Sequence, residues 1–543
     1  MKPFFKIIAL AGLLFFSLRA AVQTPGFPDP AFGTGGWVTT PVLTQASAYA
    51  VVVRPNGKIV AGGTAFDLSG GSADPDMAIV QYQRDGAVEW IKTIKGVGSA
   101  PPWVADEIRA MALEKKGSII AAGISASHLT GNDVYLIRID SAGKIDVLFG
   151  GNGYVRDNLG NNPSEDRVNE VAIDSSGRIV VVGEMMESLG IWEAFVARYL
   201  PDGSPDLSFD GDGLKRLSYS GYPTFGRGLA IQADQKIVVG GFVDTKSSVF
   251  EQDPIVFRLK PNGDPDASFG VGGITCSDFG FAKELIEDIA LEPKTNDRIV
   301  MAGAASHFAG AVESDVYAVA VKHDGFLDPA FGTLLGATAL HFGSPVSLLD
   351  YGMAAAVDSA GRILIAGFST DPLGVSNFYE VACLDKKGVP DPAFGPAFLG
   401  YTVSRFGPNS SFCYDMALDY SVRPYKIVLV GSANNTEFGV ARLSGYTVSL
   451  LEPARPSISL RVHPNPWHGG AAQVVFDLPA AGAVRLRVHD TQGRQIAAWE
   501  AADCPAGVQQ LPLLLPPLLP AGVYTLSLYT PGGWGNVLMV RGE

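Results

Sequence analysis

The stretch NGDPDASFGVGG, residues 262–273, places two aspartates, Asp264 and Asp266, in a glycine-rich loop. Such a loop is typical of a calcium or phosphate site. It is equally typical of a structural turn, in which an aspartate caps the backbone and a glycine adopts positive φ. A ligand loop is usually needed once, whereas a structural turn recurs with every structural unit. The number of copies therefore decides between the two interpretations.

The phrase recurs along most of the chain. Related copies start at Asp29, Asp146, Asp206, Asp266, Asp328 and Asp391, and a degenerate copy with Glu89 in place of the aspartate fills the one gap. Successive starts are 57 to 63 residues apart, which gives a period of about 60. The phrase is therefore a structural part of a repeated unit.

A second phrase keeps the same period. Its seven copies, such as DSSGRIVVVG (174–183) and DSAGRILIAG (358–367), place a polar turn between two short β-rich runs, which predicts a β-hairpin. A third apolar run comes about 15 residues later, and a fourth follows the first phrase. Four short strands per unit, with a periodicity of two, predict a blade of a β-propeller. The chain is thus expected to be all-β, with seven blades.

The two ends of the array predict how the ring closes. The first unit begins with a lone fourth strand, around Trp37 to Val42, and the seventh ends near Ser444 after only three strands. The N-terminal strand can therefore complete the last blade. Such closure removes exposed sheet edges, which otherwise invite aggregation.

Together, the two phrases resemble the delta-60 repeat family of bacterial secreted and surface proteins, and the resemblance covers residues 25–444. It implies a propeller-like β structure and no common enzymatic activity. In this frame, one phenylalanine of each phrase is expected to fill the space between neighbouring blades. These residues are Phe32, Phe149, Phe209, Phe269, Phe331 and Phe394.

The repeated aspartates are expected to cap their turns, so no cofactor is predicted. Calcium is the alternative, and its best candidate is the segment PDGSPDLSFDGDG, which contains Asp202, Asp206, Asp210 and Asp212. This segment lacks the twelve-residue loop and the terminal bidentate glutamate of an EF-hand.

The N-terminus predicts a secretory signal peptide over residues 1–21. Lys2 and Lys6 flank the start, an apolar run covers residues 7–18, and small residues follow at Ala20 and Ala21. No later segment qualifies as a membrane span, because prolines interrupt the apolar stretch 511–523. We expect the mature chain to be secreted or attached to the outer-membrane surface.

The pattern changes after Ser444. Residues 445–460 are predicted to be a linker, and residues 461–543 a small immunoglobulin-like β-sandwich. The phrases VHPNPW (462–467), RLRVHDTQGRQI (485–496) and LPAGVYTLSLYT (519–530) resemble the C-terminal sorting domain of type IX secretion cargo in the Bacteroidetes. The resemblance implies recognition by the outer-membrane secretion machinery. The alternative is an ordinary immunoglobulin-like module.

The net charge limits the kinds of partner that the protein is expected to bind. The formal charge is −14, and it becomes −17 without the three basic residues of the predicted signal peptide, so binding to nucleic acid or anionic membranes is not expected. We expect the protein to be a monomer.

An oxidising compartment permits disulfides between cysteines, but free thiols are the favoured interpretation. The four cysteines are Cys276, Cys383, Cys413 and Cys504.

The sequence contains no recognisable catalytic motif. Its seven histidines form no HExxH frame, and a Walker loop, a GxSxG elbow and sialidase-type aspartate boxes are absent. We therefore expect a non-catalytic protein that binds a glycan, a polymer or a protein, or acts as a scaffold. The alternative is a secreted polysaccharide hydrolase or lyase that uses carboxylates of the propeller funnel.

Alignment of the seven hairpins predicts where a ligand would bind. One residue of each first strand should face the central funnel, and the ring consists of Tyr49, Arg109, Asn169, Arg227, Glu287, Met353 and Tyr414. The neighbouring Glu170, Asp288 and Asp415 would make part of the funnel acidic. Side chains that differ on a repeated frame are typical of a binding funnel, although drift at unconstrained positions gives the same pattern.

Overall fold

A computed structural model describes residues 24–70, 75–95, 106–127, 131–160, 164–188, 191–245, 252–293, 298–306, 313–334, 336–341, 349–371, 374–396, 400–404, 409–446, 460–468, 472–478, 481–489, 495–513, 515, 519–530 and 533–542. The predicted signal peptide and most of the predicted linker lie outside these residues. The described residues form β-strands joined by turns and loops, with two 3-10 turns among them at Leu68–Gly70 and Phe149–Gly151. Within the described ranges, no helix has the length and apolar character needed to cross a membrane.

Strands β1 to β28 follow the predicted repeat. The first strands of the units are β2 (Gln45–Val53), β6 (Asp106–Leu113), β10 (Ser164–Ile173), β14 (Thr224–Ile231), β18 (Lys283–Leu291), β22 (Asp350–Val357) and β26 (Phe412–Asp419). The second strands are β3 (Ile59–Phe66), β7 (Ile119–Ser127), β11 (Ile179–Ser188), β15 (Ile237–Asp244), β19 (Ile299–Ser306), β23 (Ile363–Thr370) and β27 (Lys426–Ala433).

The third and fourth strands complete each unit. The third strands are β4 (Pro75–Tyr82), β8 (Gly131–Ile139), β12 (Ile191–Tyr199), β16 (Gln252–Leu259), β20 (Asp315–Val321), β24 (Asn377–Leu384) and β28 (Glu437–Ser444). The fourth strands are β5 (Val88–Ile94), β9 (Tyr154–Asp157), β13 (Leu214–Leu217), β17 (Ile274–Cys276), β21 (Ala337–Leu340), β25 (Tyr401–Ser404) and, in the last unit, β1 (Trp37–Thr40).

Within each unit the four strands pair antiparallel in the order first, second, third, fourth. We number the units 1 to 7 by their first strands, from β2 to β26. In unit 7 the fourth strand comes from the other end of the array, because β1 pairs with β28 and places Trp37 opposite Ala441. The structure confirms the predicted all-β class and its propeller-like sheets.

The hydrophobic core lies between successive units. The second strands are almost continuously buried, as in β15 and β27, because both of their faces are covered. Phe269, for example, packs with Val238 of its own unit and with Ile286 and Met301 of the next. All six phenylalanines of the repeated phrase are fully buried.

A repeated joint connects each unit to the next. In unit 4, Arg258 Nε donates a hydrogen bond to Asp266 Oδ2 at 2.8 Å, and its guanidinium carbon lies 4.5 Å from the centre of the Phe269 ring. The same arginine donates through Nη1 to the carbonyl oxygen of His323, in unit 5, at 2.6 Å. Equivalent groups are Arg198 with Asp206 and Phe209, and Arg442 with Asp29 and Phe32.

The described C-terminal residues form two further sheets. Strands β29 (Leu460–His463), β30 (Ala472–Leu478) and β33 (Gly507–Leu513) form the first; β31 (Gly482–His489), β32 (Gln495–Cys504), β34 (Gly522–Thr530) and β35 (Gly533–Arg541) form the second. One hydrophobic cluster includes residues of both sheets, such as Phe476 and Leu526. Asn465, from the phrase VHPNPW, accepts a hydrogen bond from Val540 N and donates one to Leu538 O, both at 2.8 Å. The phrase therefore pairs with the edge of β35.

The four cysteines all lie in the described part of the chain and form no disulfide with one another there. Cys383, Cys413 and Cys504 are buried, and Cys276 is half-buried on β17.

Candidate functional site

All seven first strands contain a β-bulge at the same position. At each bulge one residue is skipped in the pairing with the second strand. A bulge bends the strand and changes the direction of a side chain. The skipped residues are the seven that the hairpin alignment predicted: Tyr49, Arg109, Asn169, Arg227, Glu287, Met353 and Tyr414.

A conserved geometry opposite each bulge requires glycine. A Cβ atom built on Gly367 would lie 1.7 Å from the carbonyl oxygen of Tyr351, and one on Gly183 would lie 1.8 Å from that of Arg167. The equivalent glycines, Gly63, Gly123, Gly241, Gly303 and Gly431, have the same relation to their bulged strands, at 1.7 to 2.0 Å. These glycines end the seven copies of the second repeated phrase. They were the sequence signal for the bulges, which sequence reasoning missed.

The bulges surround one central cavity. All ten predicted funnel residues line it, together with Ala110 and Met111. Its volume is about 110 Å³, which is room for several water molecules or for part of a larger ligand. The structure thus brings together residues from seven units that span most of the propeller sequence.

One side of the funnel is aromatic. Tyr49 and Tyr414 line the cavity there, and from them ring contacts continue through Phe412 and Phe368 to Tyr351; we call these five residues the aromatic arc. Successive ring centres are 5.1, 6.2, 5.1 and 5.6 Å apart, within the range of favourable aromatic pairs. The sequence analysis found only Tyr49 and Tyr414. Tyr351 and Phe412 lie two residues before ring positions, so the alternation of a strand could have identified them. A similar chain of ring contacts, outside the cavity lining, joins Trp192, Phe225 and Phe242 in units 3 and 4.

The other side is polar. The ring residues of units 2 to 5 form what we call the polar arc: Arg109, Asn169, Arg227 and Glu287. Arg227 lies between two carboxylates, with Nη1 3.6 Å from Glu184 Oε1 and Nε 3.7 Å from Glu287 Oε2. Burial acts to lower the pKa of Arg227, but these two carboxylates outweigh it and the pKa is raised. Two neighbouring carboxylates therefore stabilise the positive charge of this arginine.

The remaining members of the polar arc also have partners within the protein. Arg109 Nε is 2.7 Å from Glu107 Oε1, and its guanidinium carbon lies 4.9 Å from the centre of the Tyr49 ring. Asn169 Nδ2 donates to Gly226 O at 2.7 Å and also to the Glu184 carboxylate. The polar arc and its partners thus hold two arginines and three glutamates, so each cation has a carboxylate partner.

Three carboxyl groups lie one residue after the bulge in alternate units. We call Glu170, Asp288 and Asp415 the carboxyl triad; the equivalent positions elsewhere are Ala50, Ala110, Gly228 and Ala354. Asp415 accepts hydrogen bonds from Met416 N at 2.6 Å and, across the junction with unit 1, from Val51 N at 2.7 Å. This carboxylate thus joins the last unit to the first.

Asp288 makes the same contacts between units 5 and 6. It accepts from Ile289 N at 2.6 Å and from Ala355 N at 2.7 Å. Glu170 differs, because the described hydrogen bond that it accepts comes from the adjacent Val171 N, at 3.0 Å.

Burial shifts the titration of the triad. It raises the pKa of Asp288 and of Asp415 to about 7, although their backbone hydrogen bonds act in the opposite direction. The pKa of Glu170 lies well above its usual value, first because of burial and then because of the charges of Asp288 and Asp415. The triad therefore carries less than its full negative charge near neutral pH.

The four calcium candidates are not brought together as a ligand cluster. Asp206 is bound to Arg198 in the repeated joint, and Asp210 Oδ1 lies 2.9 Å from Lys215 Nζ. Asp202 and Asp212 accept hydrogen bonds from backbone amides of their own turns. Among the described residues, carboxylates with metal-ligand spacing occur elsewhere, in Asp315–His341–Asp350 and Asp253–Asp278–Glu284.

A second cavity of about 570 Å³ lies beside the short outer strand β17. Ile274 and Cys276 of that strand line it, together with Val271 and Phe326, whose side chains are largely exposed. Sequence reasoning did not identify it.

Comparison with known proteins agrees with the fold. The model of the DUF5122 beta-propeller family, a domain of unknown function, matches residues 175–209 and 232–269. No curated protein sequence matches this chain.

Among solved structures, the chain is similar to a protein of unknown function from Dyadobacter fermentans, at 13% identity and a TM-score of 0.37, over 63% of this chain and 96% of that one. It is also similar to a Xanthomonas campestris gluconolactonase, at 12% identity and a TM-score of 0.28, over 78% and 96% of the two chains. A Trypanosoma rangeli sialidase is 9% identical over 96% of this chain and 88% of its own, with a TM-score of 0.32. None of these similarities transfers an activity to the chain.

Proposed function

We propose that this chain is a non-catalytic, extracellular binding module whose seven units are the blades of a closed propeller, and that its ligand binds in the central funnel. One observation carries the proposal: seven equivalent bulges present seven side chains of differing chemistry to one cavity. The backbone frame, with its glycine opposite each bulge, is constant, and only the side chains that face the cavity vary.

The distribution of these side chains argues against drift. Unselected substitution gives no reason for two tyrosines to lie side by side at the ring of bulges while four successive units contribute paired polar groups. Binding sites typically combine aromatic surface with a few oriented polar groups. A glycan, a polymer or a protein segment could use such a surface.

The pairing of β1 with β28 supports closure into seven blades. We further propose that residues 461–543 direct export by recognition at the outer-membrane secretion machinery, and that the mature protein is a monomer, secreted or attached to the outer-membrane surface. The two-sheet arrangement of the described C-terminal residues supports a separate immunoglobulin-like unit.

A secreted polysaccharide hydrolase or lyase is the second candidate. It is favoured by the raised pKa values of Asp288 and Asp415, about 7, because a general acid is most effective when its pKa is near the working pH. Both oxygens of each carboxyl group, however, accept backbone hydrogen bonds. These contacts indicate a structural role at the blade junctions, so binding is the better-supported function.

The proposal is tested by screening the secreted full chain on glycan and protein arrays. The same arrays are probed with a Tyr49→Ala/Tyr414→Ala variant and with Leu207→Ala, a control at a residue that is 68% exposed on the repeated loop. We expect the wild type and the control to bind alike and the double variant to lose at least tenfold in affinity. Unchanged binding by the double variant, or release of reducing or unsaturated sugar products by the wild type, would overturn the proposal.

A further inference from the structure

Resting on the proposed function, we infer that the funnel binds a neutral sugar residue, with the C–H face of the sugar ring against the aromatic arc and its hydroxyl groups toward the polar arc. At the ring of bulges, Tyr414 and Tyr49 of units 7 and 1 line the cavity next to each other, and units 2 to 5 contribute the polar side chains. A ligand that fits both must itself have an apolar face and a hydroxylated edge.

The polar arc has no cation without a carboxylate partner, which disfavours an anionic ligand. Arg109 is paired with Glu107, and Arg227 lies between Glu184 and Glu287. A carboxylated or sulfated sugar would have to displace one of these protein carboxylates, and burying a charge without a partner is costly. A ligand without formal charge leaves both ion pairs intact.

Two buried atoms near the funnel have unused hydrogen-bonding capacity. Within the described residues, Arg227 Nε makes no hydrogen bond as a donor and Glu184 Oε1 makes none as an acceptor. A buried polar atom without a partner calls for a ligand or a water molecule. A hydroxyl group both donates and accepts, so it can satisfy either of these atoms.

Arg167 provides the matched control. It is exposed, it lies on the same strand as Asn169 but outside both arcs, and its guanidinium carbon is 4.4 Å from the centre of the Trp192 ring. If the ligand were anionic, this exposed cation, two residues from Asn169, would contribute to affinity. A neutral sugar does not require it.

The test uses the secreted full chain and isothermal titration with two oligosaccharide panels. The first panel contains neutral glucan, mannan and galactan oligosaccharides, and the second contains galacturonate and mannuronate oligosaccharides of the same lengths. We expect binding to a neutral member, little dependence on ionic strength, a loss of about tenfold in Tyr414→Ala, and retention in Tyr414→Phe and Arg167→Ala. Circular dichroism and thermal unfolding establish that each variant is folded.

The outcomes separate this inference from the proposed function. Tighter binding of uronates, with loss of affinity in Arg167→Ala or at high salt, would overturn the neutral-sugar inference and leave the funnel as a binding site. Binding of only a protein ligand, abolished by Tyr414→Ala, would do the same. Binding of neutral sugar that Tyr414→Ala does not change would overturn both.

Discussion

The joints between units and the bulges around the funnel are both repeated, but the repeated feature differs: the joints repeat side chains, and the bulges repeat backbone geometry. Six of the seven joints reuse side chains: an aspartate, a phenylalanine and in four of them an arginine, as in Asp266, Phe269 and Arg258. The bulges reuse only a backbone geometry and a glycine, and their side chains range from Tyr49 to Glu287. Repetition of side chains marks a structural requirement, whereas repetition of backbone with varied side chains marks positions available for binding.

The largest effect expected from this comparison is the loss of a joint aromatic ring. Phe269→Ala should destabilise the propeller by about 3–5 kcal/mol, because a fully buried ring leaves a cavity between units 4 and 5. Phe326→Ala removes a ring that is 56% exposed, and we expect a change below about 0.5 kcal/mol. Urea unfolding followed by tryptophan fluorescence measures both. Similar losses in the two variants would contradict the assigned role of the joint.

Substitution of a glycine opposite a bulge should have the next largest effect on stability. Gly367→Ala forces a Cβ to within 1.7 Å of Tyr351 O, so the bulge must move, and we expect a loss of about 2–4 kcal/mol. In Gly117→Ala the added Cβ has open space around it, so we expect only the loss of stability that comes from the positive φ, about 1 kcal/mol. Equal midpoints for the two variants in thermal unfolding would show that the bulge does not depend on the glycine.

A smaller effect concerns acid stability at the joints. Burial alone would raise the pKa of Asp266, but hydrogen bonds from Ser268 and the charge of Arg258 lower it to about 2. A carboxyl group with a depressed pKa stabilises the folded state above its unfolded value near 3.9, and this contribution is lost as the pH falls toward 2. The unfolding free energy of Asp266→Asn should therefore depend less on pH between about 4 and 2 than that of the wild type. Parallel pH profiles would rule out this linkage.

The carboxyl triad should make stability depend on pH with the opposite sign. Since the pKa of Asp415 is raised to about 7, the folded state binds a proton more tightly than the unfolded state. Stability should then fall as the pH rises from about 4 to about 7, and Asp415→Asn should flatten this slope. Denaturant titrations across that pH range make the measurement. A wild-type protein that gains stability over this interval would contradict the assignment.

The sequence predicted the propeller because strand and turn signals were repeated in register, and each copy reinforced the others. It also predicted the ring positions, since alignment of seven hairpins places equivalent residues together even without knowledge of the bulges. The aromatic arc was predicted only in part, as Tyr49 and Tyr414: Phe368 belongs to a second strand and joins the arc through its pairing with Tyr351, which is a cross-strand relation. The partner of Asp266, Arg258, lies eight residues earlier, and hairpin register rather than local spacing brings them together.

The measurement that tests the central claim most directly compares ring and joint in one experiment. The unfolding free energy and the affinity for an array-identified ligand are determined for Tyr49→Ala/Tyr414→Ala and for Phe269→Ala. We predict that the ring variant retains stability to within about 1 kcal/mol and loses binding, because its half-buried side chains face the funnel rather than the core. A ring variant that is destabilised as much as the joint variant while it still binds its ligand would contradict the account.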